Sequence, residues 1–483
     1  MNILLISTYE LGRQPFGLAS PAAWLRQQRH EVACQDLARE KLDPNLVGSA
    51  ELICFYLPMH TATRIALGAM ARVRELNPAA RLGCYGLYAP MNSELLRSRG
   101  VEFIVGGEFE AALVEIAGSV AADRQRLESP ASSALVGTAD AVSLRNGSAA
   151  MGSRNALPAE ISLARLQFRV PDRGGLPELA RYGKLRLADG SERLAGYTEA
   201  SRGCRHRCRH CPIVPVYDGV FRVVQPEIVL ADIRQQVAAG AQHITFGDPD
   251  FFNGPRHALA IVDALHREFP SLSYDVTIKV EHLLRHAQHL PALRDSGCAF
   301  VTTAVESLDD DVLLLLDKGH TRADFVRLVD VMRRADLPLS PTFIPFTPWT
   351  TRAGYAELLR WLAELDMAEN VAPVQLSIRL LIPQGSRLLE LAELQPHLAG
   401  YHADALSYHW RNPDPAVDEL QRAVEVEVAA GAKSGLSRAE TFARIWSLAH
   451  AAGDDSMAGE LAAPRAPLAA RATIPYLTEP WYC

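Results

Sequence analysis

The feature that most constrains the fold of this 483-residue chain is that short apolar runs alternate with amphipathic stretches in two separate blocks. In residues 1–118 the runs Ile3–Ser7, Val32–Leu37, Leu52–Leu57, Leu82–Tyr85 and Phe103–Val105 are separated by helical patterns at Ala19–Gln28, Ala62–Leu76 and Glu94–Arg99. Apolar strands joined by helices bury both faces of a parallel sheet, so this block predicts a doubly wound, Rossmann-like domain. Ligands of such a sheet sit over the carboxyl ends of its strands. Residues 119–158, dominated by Ala, Ser, Gly and Arg, have no face to bury and read as a flexible linker.

The second block runs over residues 195–390, with strands expected at Tyr197–Ser201, His243–Phe246, Tyr274–Ile278, Phe300–Ala304, Ser340–Phe343 and Gln375–Leu380. Helical patterns lie between them at Glu227–Ala239, Ala258–Phe269, Leu283–Asp295, Asp309–Leu316, Arg322–Ala335 and Ala353–Leu365. Strand-helix units with right-handed crossovers in this number favour a partial barrel over a second open sheet. Residues 391–483 turn helical and Ala-rich before a Pro-punctuated end.

Composition narrows the function. With 49 Lys+Arg against 56 Asp+Glu the formal charge is −7, which argues against a broad nucleic-acid surface. No apolar run reaches the ~18 residues of a membrane span, and the first apolar stretch lacks the basic flank of a signal peptide, so a cytoplasmic protein is expected. The eight cysteines do not form the dense pattern of a secreted disulfide scaffold. Three of them, however, fall within eight residues: Cys204, Cys208 and Cys211, in Ser201-Arg-Gly-Cys-Arg-His-Arg-Cys-Arg-His-Cys-Pro212.

This C-x3-C-x2-C triplet directly follows the first strand of the second block, at the end of a barrel where active sites are built. Three thiolates on one loop can hold a four-iron cluster with one iron open to a ligand. Arg202, Arg205, Arg207 and Arg209 are placed to lower the thiol pKa values and offset cluster charge. Zinc with His206 or His210 as fourth ligand is the alternative use of the same spacing.

The triplet in its barrel resembles the radical S-adenosylmethionine (SAM) superfamily, over about residues 195–390. The resemblance implies a [4Fe-4S] cluster on Cys204, Cys208 and Cys211, whose open iron is chelated by SAM, and reductive cleavage of SAM to a 5′-deoxyadenosyl radical. By the same resemblance His210 takes the place of an aromatic residue near the adenine. Gly247, Asp248 and Asp250, in Phe246-Gly-Asp-Pro-Asp250, correspond to the turn that receives the methionine amine. Glu306 and Ser307 correspond to the polar position after the fourth strand, although Ser307 with Asp309, Asp310 and Asp311 also reads as a helix cap. Lys279, Glu281 and Arg379 lie at the same strand ends and read equally well as structural ion pairs.

A doubly wound sheet ahead of the barrel is similar to cobalamin-binding radical enzymes, with Gly106-Gly107-Glu108-Phe-Glu110 resembling the end of that module. The Asp-x-His-x-x-Gly signature is absent, and His60 is the nearby candidate for a cobalt ligand. Two outcomes stay open, cobalamin bound without a histidine or a domain that has lost it. The fold class expected is thus α/β, a doubly wound cobalamin-binding-like sheet plus a partial (βα)6 radical SAM barrel and a helical C-terminal segment.

Segments from Ser7-Thr-Tyr-Glu-Leu-Gly12 to Pro341-Thr-Phe-Ile-Pro-Phe-Thr-Pro-Trp-Thr-Thr351 look like radical proteins with a CUAEP or CCAEP tail. Here the chain reads Glu479-Pro-Trp-Tyr-Cys483, so a UGA codon read as selenocysteine is expected after Cys483, making that cysteine part of a second reactive pair. The reading is therefore a radical SAM enzyme using a flavodoxin- or ferredoxin-type electron donor for methyl, adenosyl or aminocarboxypropyl transfer, or hydrogen abstraction, on an unknown substrate, with no nucleic-acid or membrane partner. Its competitor is a zinc-stabilised binding or regulatory protein on a relic barrel.

Overall fold

Leu4, Ile6, Ile53 and Phe55 bury one face of the N-terminal sheet and Ile3, Leu5, Leu52 and Cys54 the other, the period-two alternation of strands covered on both sides. In the computed structural model, which describes residues 1–128, 160–451 and 474–478, this sheet has six strands. They are β1 (Asn2–Ser7), β2 (Glu31–Asp36), β3 (Leu52–Tyr56), β4 (Arg81–Tyr85), β5 (Phe103–Gly107) and β6 (Glu160–Ser162). Their order is β2-β1-β3-β4-β5-β6, all parallel, so the connection reverses direction between β1 and β3, the switch point at which open sheets bind ligands.

The start of the linker expected from residue 119 is helical instead. The helix that opens at Glu110 continues to Glu128, because Leu113, Ala117 and Val120 give it a core-facing stripe that holds it in register beyond the sheet. The rest of the expected linker, like Cys483, lies outside the described residues. The chain divides into two units, Met1–Tyr9 with Gly17–Leu176 and Glu10–Phe16 with Pro177–Cys483.

The second unit carries β7 (Lys184–Arg186), β8 (Glu192–Thr198), β9 (Ser201–Gly203), β10 (Phe221–Val223), β11 (His243–Phe246), β12 (Ser273–Thr277), β13 (Cys298–Glu306) and β14 (Leu339–Phe343). Beyond them come β15 (Leu398–His402), β16 (Ser407–Trp410) and β17 (Tyr476–Leu477). Its sheet runs β14-β13-β12-β11-β8-β7-β17, parallel from β8 to β14, with β7 and β17 adding antiparallel edges that the sequence pattern did not show. The sixth strand expected at Gln375–Leu380 survives as a single bridge between Phe346 and Arg379. Pro373 opens a helical turn there, and the Gln375 side chain, not a backbone carbonyl, accepts from the Phe343 N–H at 3.1 Å. The C-terminal segment is less purely helical than expected, since β15 and β16 form a hairpin ahead of the helices Pro415–Ser434 and Arg438–Ala451. Among the described residues no helix is long and apolar enough to cross a membrane.

Candidate active site at the carboxyl ends of the barrel strands

The cysteine loop is tied at its base. β9 ends at Gly203 and pairs antiparallel with β10, so the chain leaves and re-enters at one point. Gly203 sits at φ 73°, and a Cβ there would lie 2.4 Å from the Val220 carbonyl oxygen, so only glycine closes this turn. Within the loop the Cys211 N–H donates to the Cys208 carbonyl at 3.1 Å, the Arg209 N–H donates to the Leu316 carbonyl at 3.0 Å, and Ser386 Oγ donates to the Arg209 carbonyl at 3.2 Å. Cys204, Cys208 and Cys211 are free thiols, the first two buried and the third partly so.

Burial pushes the Cys204 thiol up to about 11, with the Asp250 charge adding to the rise, and pushes Cys211 up to about 12, with Cys208 adding to it. Two buried lysines oppose this. Lys279 Nζ stands 3.7 Å from Cys208 Sγ, its charge favours the thiolate of Cys204, and Lys318 does the same for Cys211. The four arginines expected in this role are engaged elsewhere. Arg202 pairs with Glu199 at 2.7 Å, Arg205 lies over the Phe221 ring, Arg207 bonds the Asp218 carbonyl, and Arg209 Nη1 bonds the Leu314 and Leu315 carbonyls. The arginines thus spend their charge on local partners, while the two buried lysines face the thiols. Neither lysine was assigned this role by the sequence. Lys279 stands just after β12, at a strand end, whereas Lys318 lies in the turn after the helix Asp310–Leu315 and gave no such signal.

Glu306 closes β13 at φ 70°, a left-handed conformation that lifts the carboxylate out of the strand's alternation. Burial works against its ionisation, but Lys318 Nζ and His210 Nε2, each 3.2 Å from Oε1, outweigh that and hold the carboxyl down at about 2. His320 beside them is kept neutral, lowered to about 4 by burial and then by Lys318. Asp248 goes the other way. It accepts from Ser201 Oγ at 2.5 Å and the Ala200 N–H at 2.9 Å, yet burial dominates and raises it to about 7. At Gly247 an added Cβ would meet the Tyr197 hydroxyl oxygen at 1.8 Å, so the glycine makes room for that buried ring. Asp250, fully buried, accepts from the Phe252 N–H at 3.2 Å through Oδ1 and turns Oδ2 toward His206 and His282.

Other predicted residues separate from this group. Ser307 Oγ accepts from the Asp309 N–H at 3.0 Å while Asp309 caps the helix Asp310–Leu315, so Ser307 serves the turn. Glu281 pairs with Arg285 at 2.5 Å. Arg379 is structural, pairing with Asp418 at 2.5 Å and lying 3.5 Å over the Trp410 ring. His206 and His210 both face carboxylates, Asp250 and Glu306, rather than completing a thiolate zinc site. His60, Gly106 and Glu108 belong to the N-terminal unit. His60 opens the helix His60–Leu76 and is buried edge-on to Tyr88, and Glu108 is buried with its N–H donating to the Ser162 carbonyl at 2.7 Å.

The donor set suits an iron-sulfur cluster: three thiols on one pinned loop, dry surroundings, and two ammonium groups to offset negative charge. Comparison with known proteins agrees. Residues 198–362 match the family described as the Radical SAM superfamily. The ribosomal protein uS12 methylthiotransferase RimO of Syntrophotalea carbinolica is 27% identical over 177 residues, covering 35% of this chain and 39% of that protein. The chain thus spans about two fifths of that relative's length. Among solved structures, the radical SAM methyltransferase TsrM of Kitasatospora setae, with tryptophan substrate and a SAM analogue bound, superposes with TM-score 0.61 at 17% identity, covering 81% of this chain and 76% of that one. The cobalamin-dependent SAM radical enzyme OxsB, with aqua-cobalamin bound, gives TM-score 0.65 at 14% identity over 89% of this chain and 67% of that one. Both share the fold of a doubly wound domain joined to a curled partial barrel. Residues 198–362 thus carry a radical SAM domain, and the relatives that this chain resembles are methyltransferases and methylthiotransferases.

Proposed function

We propose that Cys204, Cys208 and Cys211 hold a [4Fe-4S] cluster and that the protein cleaves SAM reductively to drive group transfer, with methyl transfer through cobalamin the favoured outcome. The observation that carries this reading is the pinned loop of three thiols with Lys279 and Lys318 beside it. When bound, the cluster supplies one-electron chemistry at SAM. This chain's own residues do the rest. The lysines favour the thiolate forms, burial excludes water, and Glu306 with His210 offers a fixed, ionised acceptor edge to the polar groups of the cofactor. Asp248 and Gly247 shape the second strand end, with the Asp248 carboxyl held by Ser201. Cobalamin, present in solved structures of OxsB and TsrM, would in this reading bind at the N-terminal sheet, and the absence of the histidine signature implies binding without a lower His ligand. A flavodoxin- or ferredoxin-type donor in the cytosol would deliver the electron.

Anaerobic reconstitution followed by reduction in the presence of SAM tests the proposal. About four irons per chain and release of 5′-deoxyadenosine are expected, both lost in Cys204→Ala, and the visible spectrum of protein from cobalamin-supplied cells reports the corrinoid. One tightly bound zinc with no iron-sulfur absorbance would overturn it.

A further inference from the structure

Two imidazoles and a carboxylate converge at the cysteine loop, each aiming one buried atom that makes no hydrogen bond at the same point. Asp250 Oδ2 lies 2.6 Å from His282 Nδ1 and 3.5 Å from His206 Nε2, and the three atoms lie within 4.8 Å of one another. All three are buried atoms that make no hydrogen bond, the close Asp250–His282 approach being off the direction a ring N–H bond needs. Asp250 is fully buried and His282 nearly so. A buried polar atom left without a well-aligned hydrogen bond is costly, about 1–3 kcal/mol, so a fold that aims three of them at one point has a use for that point.

We propose that His206, Asp250 and His282 form a mononuclear site for a divalent transition-metal ion, distinct from the cysteine triplet. Two histidines and one carboxylate make the donor set that takes Fe(II) or Zn(II) and leaves further positions open. Metal–ligand bonds of about 2.0–2.2 Å place such donor atoms roughly 3–3.5 Å apart, so a loaded site needs only a small opening between Asp250 and His282. The supporting groups have the arrangement of a metal's outer shell. The Phe252 N–H holds Asp250 Oδ1, leaving Oδ2 for the ion, and Glu281 Oε2 stands 3.8 Å from His206 Nδ1, where a carboxylate orients a ligating imidazole. The His282, His286 and His289 rings follow one another at 5.9 and 6.1 Å, leading from the buried pair to the half-exposed His289. The three ligands come from three elements: the cysteine loop, the turn after β11, and the helix Val280–Arg285. Binding would fix the loop at His206, between two of the cluster thiols, so the ion would act as a brace for the cluster site.

The test is a metal titration of the full chain with its cluster assembled, using zinc and then cobalt(II) as probes and counting iron separately. About one zinc per chain should be retained beside the four irons. Cobalt in the same place should show ligand-field bands without sulfur-to-cobalt charge transfer. His282→Gln and Asp250→Asn, each retaining its iron-sulfur absorbance as the control for folding, should bind zinc at least about tenfold more weakly. Failure of the cluster to assemble would appear in the iron count and bear on the cluster alone. No zinc retained beyond the cluster, sulfur-to-cobalt charge transfer, or zinc affinity unchanged in both variants would each overturn the proposal.

Discussion

The two parallel sheets of this molecule bury cysteines to a similar degree and make opposite use of them. In the N-terminal sheet Cys34, Cys54 and Cys84 face the core, and burial pushes Cys34 and Cys54 up to about 12. In the barrel, burial does the same to Cys204 and Cys211. A raised thiol pKa therefore does not mark the reactive site. What differs is the company, since two lysines oppose burial in the barrel loop whereas Cys84 finds only the Cys54 thiol, which raises it further. The strand ends differ likewise. Tyr56, Tyr85 and Phe109 pack together in the N-terminal unit, and the Tyr85 hydroxyl donates to the Gly17 carbonyl at 2.8 Å. The barrel presents carboxylates, imidazoles and ammonium groups at the equivalent end. Two parallel sheets of one architecture thus present different side chains at their strand ends, aromatic in the N-terminal unit and ionisable in the barrel.

The contrast breaks first at the cysteines. Cys204→Ala, Cys208→Ala or Cys211→Ala should abolish assembly of the iron-sulfur chromophore, whereas Cys54→Ala should leave it intact and cost only about 1 kcal/mol of lost packing. Equal iron content in the two sets would erase the distinction. Next in size is the buried pair at the end of β13. Glu306→Gln leaves Lys318 as an uncompensated buried charge and should cost about 3–5 kcal/mol in urea unfolding of the cluster-free protein. The sign with pH follows from the lowered carboxyl. The contribution of Glu306 is full above its ordinary value of 4.5 and is lost as pH falls through about 2, so the variant should lack that acid limb. A third effect, about 1–3 kcal/mol, is expected for Gly247→Ala, where the new methyl must displace the Tyr197 ring, with melting temperature as the readout. Smallest is Tyr85→Phe, which removes one buried hydrogen bond, worth about 1 kcal/mol, and should leave the chromophore untouched.

Much of the architecture was legible in the sequence because strand burial writes itself as apolar runs. Leu52–Tyr56 and His243–Phe246 were visible for that reason. The antiparallel edges β7 and β17 were not, since three-residue and two-residue strands are too short to show a period. The sixth barrel strand was overestimated because Gln375, which reads as a strand residue, spends its amide on the Phe343 N–H. At the site, the cysteine triplet could be read from spacing alone. His282, Lys318 and Asn253, whose Oδ1 accepts from the Arg205 N–H at 3.2 Å, could not, because they converge from separate elements far apart in the chain. Asp250 was legible as a site residue and His206 as a possible metal ligand, but their meeting with His282 was not.

The central claim, that the barrel thiols hold a cluster with one iron open to SAM, is tested most directly by low-temperature electron paramagnetic resonance of the reduced, reconstituted protein with and without SAM. The account predicts a reduced-cluster signal whose g-values shift when SAM is added and which is missing in Cys208→Ala. A signal indifferent to SAM, or none from protein carrying its full complement of iron, would contradict it.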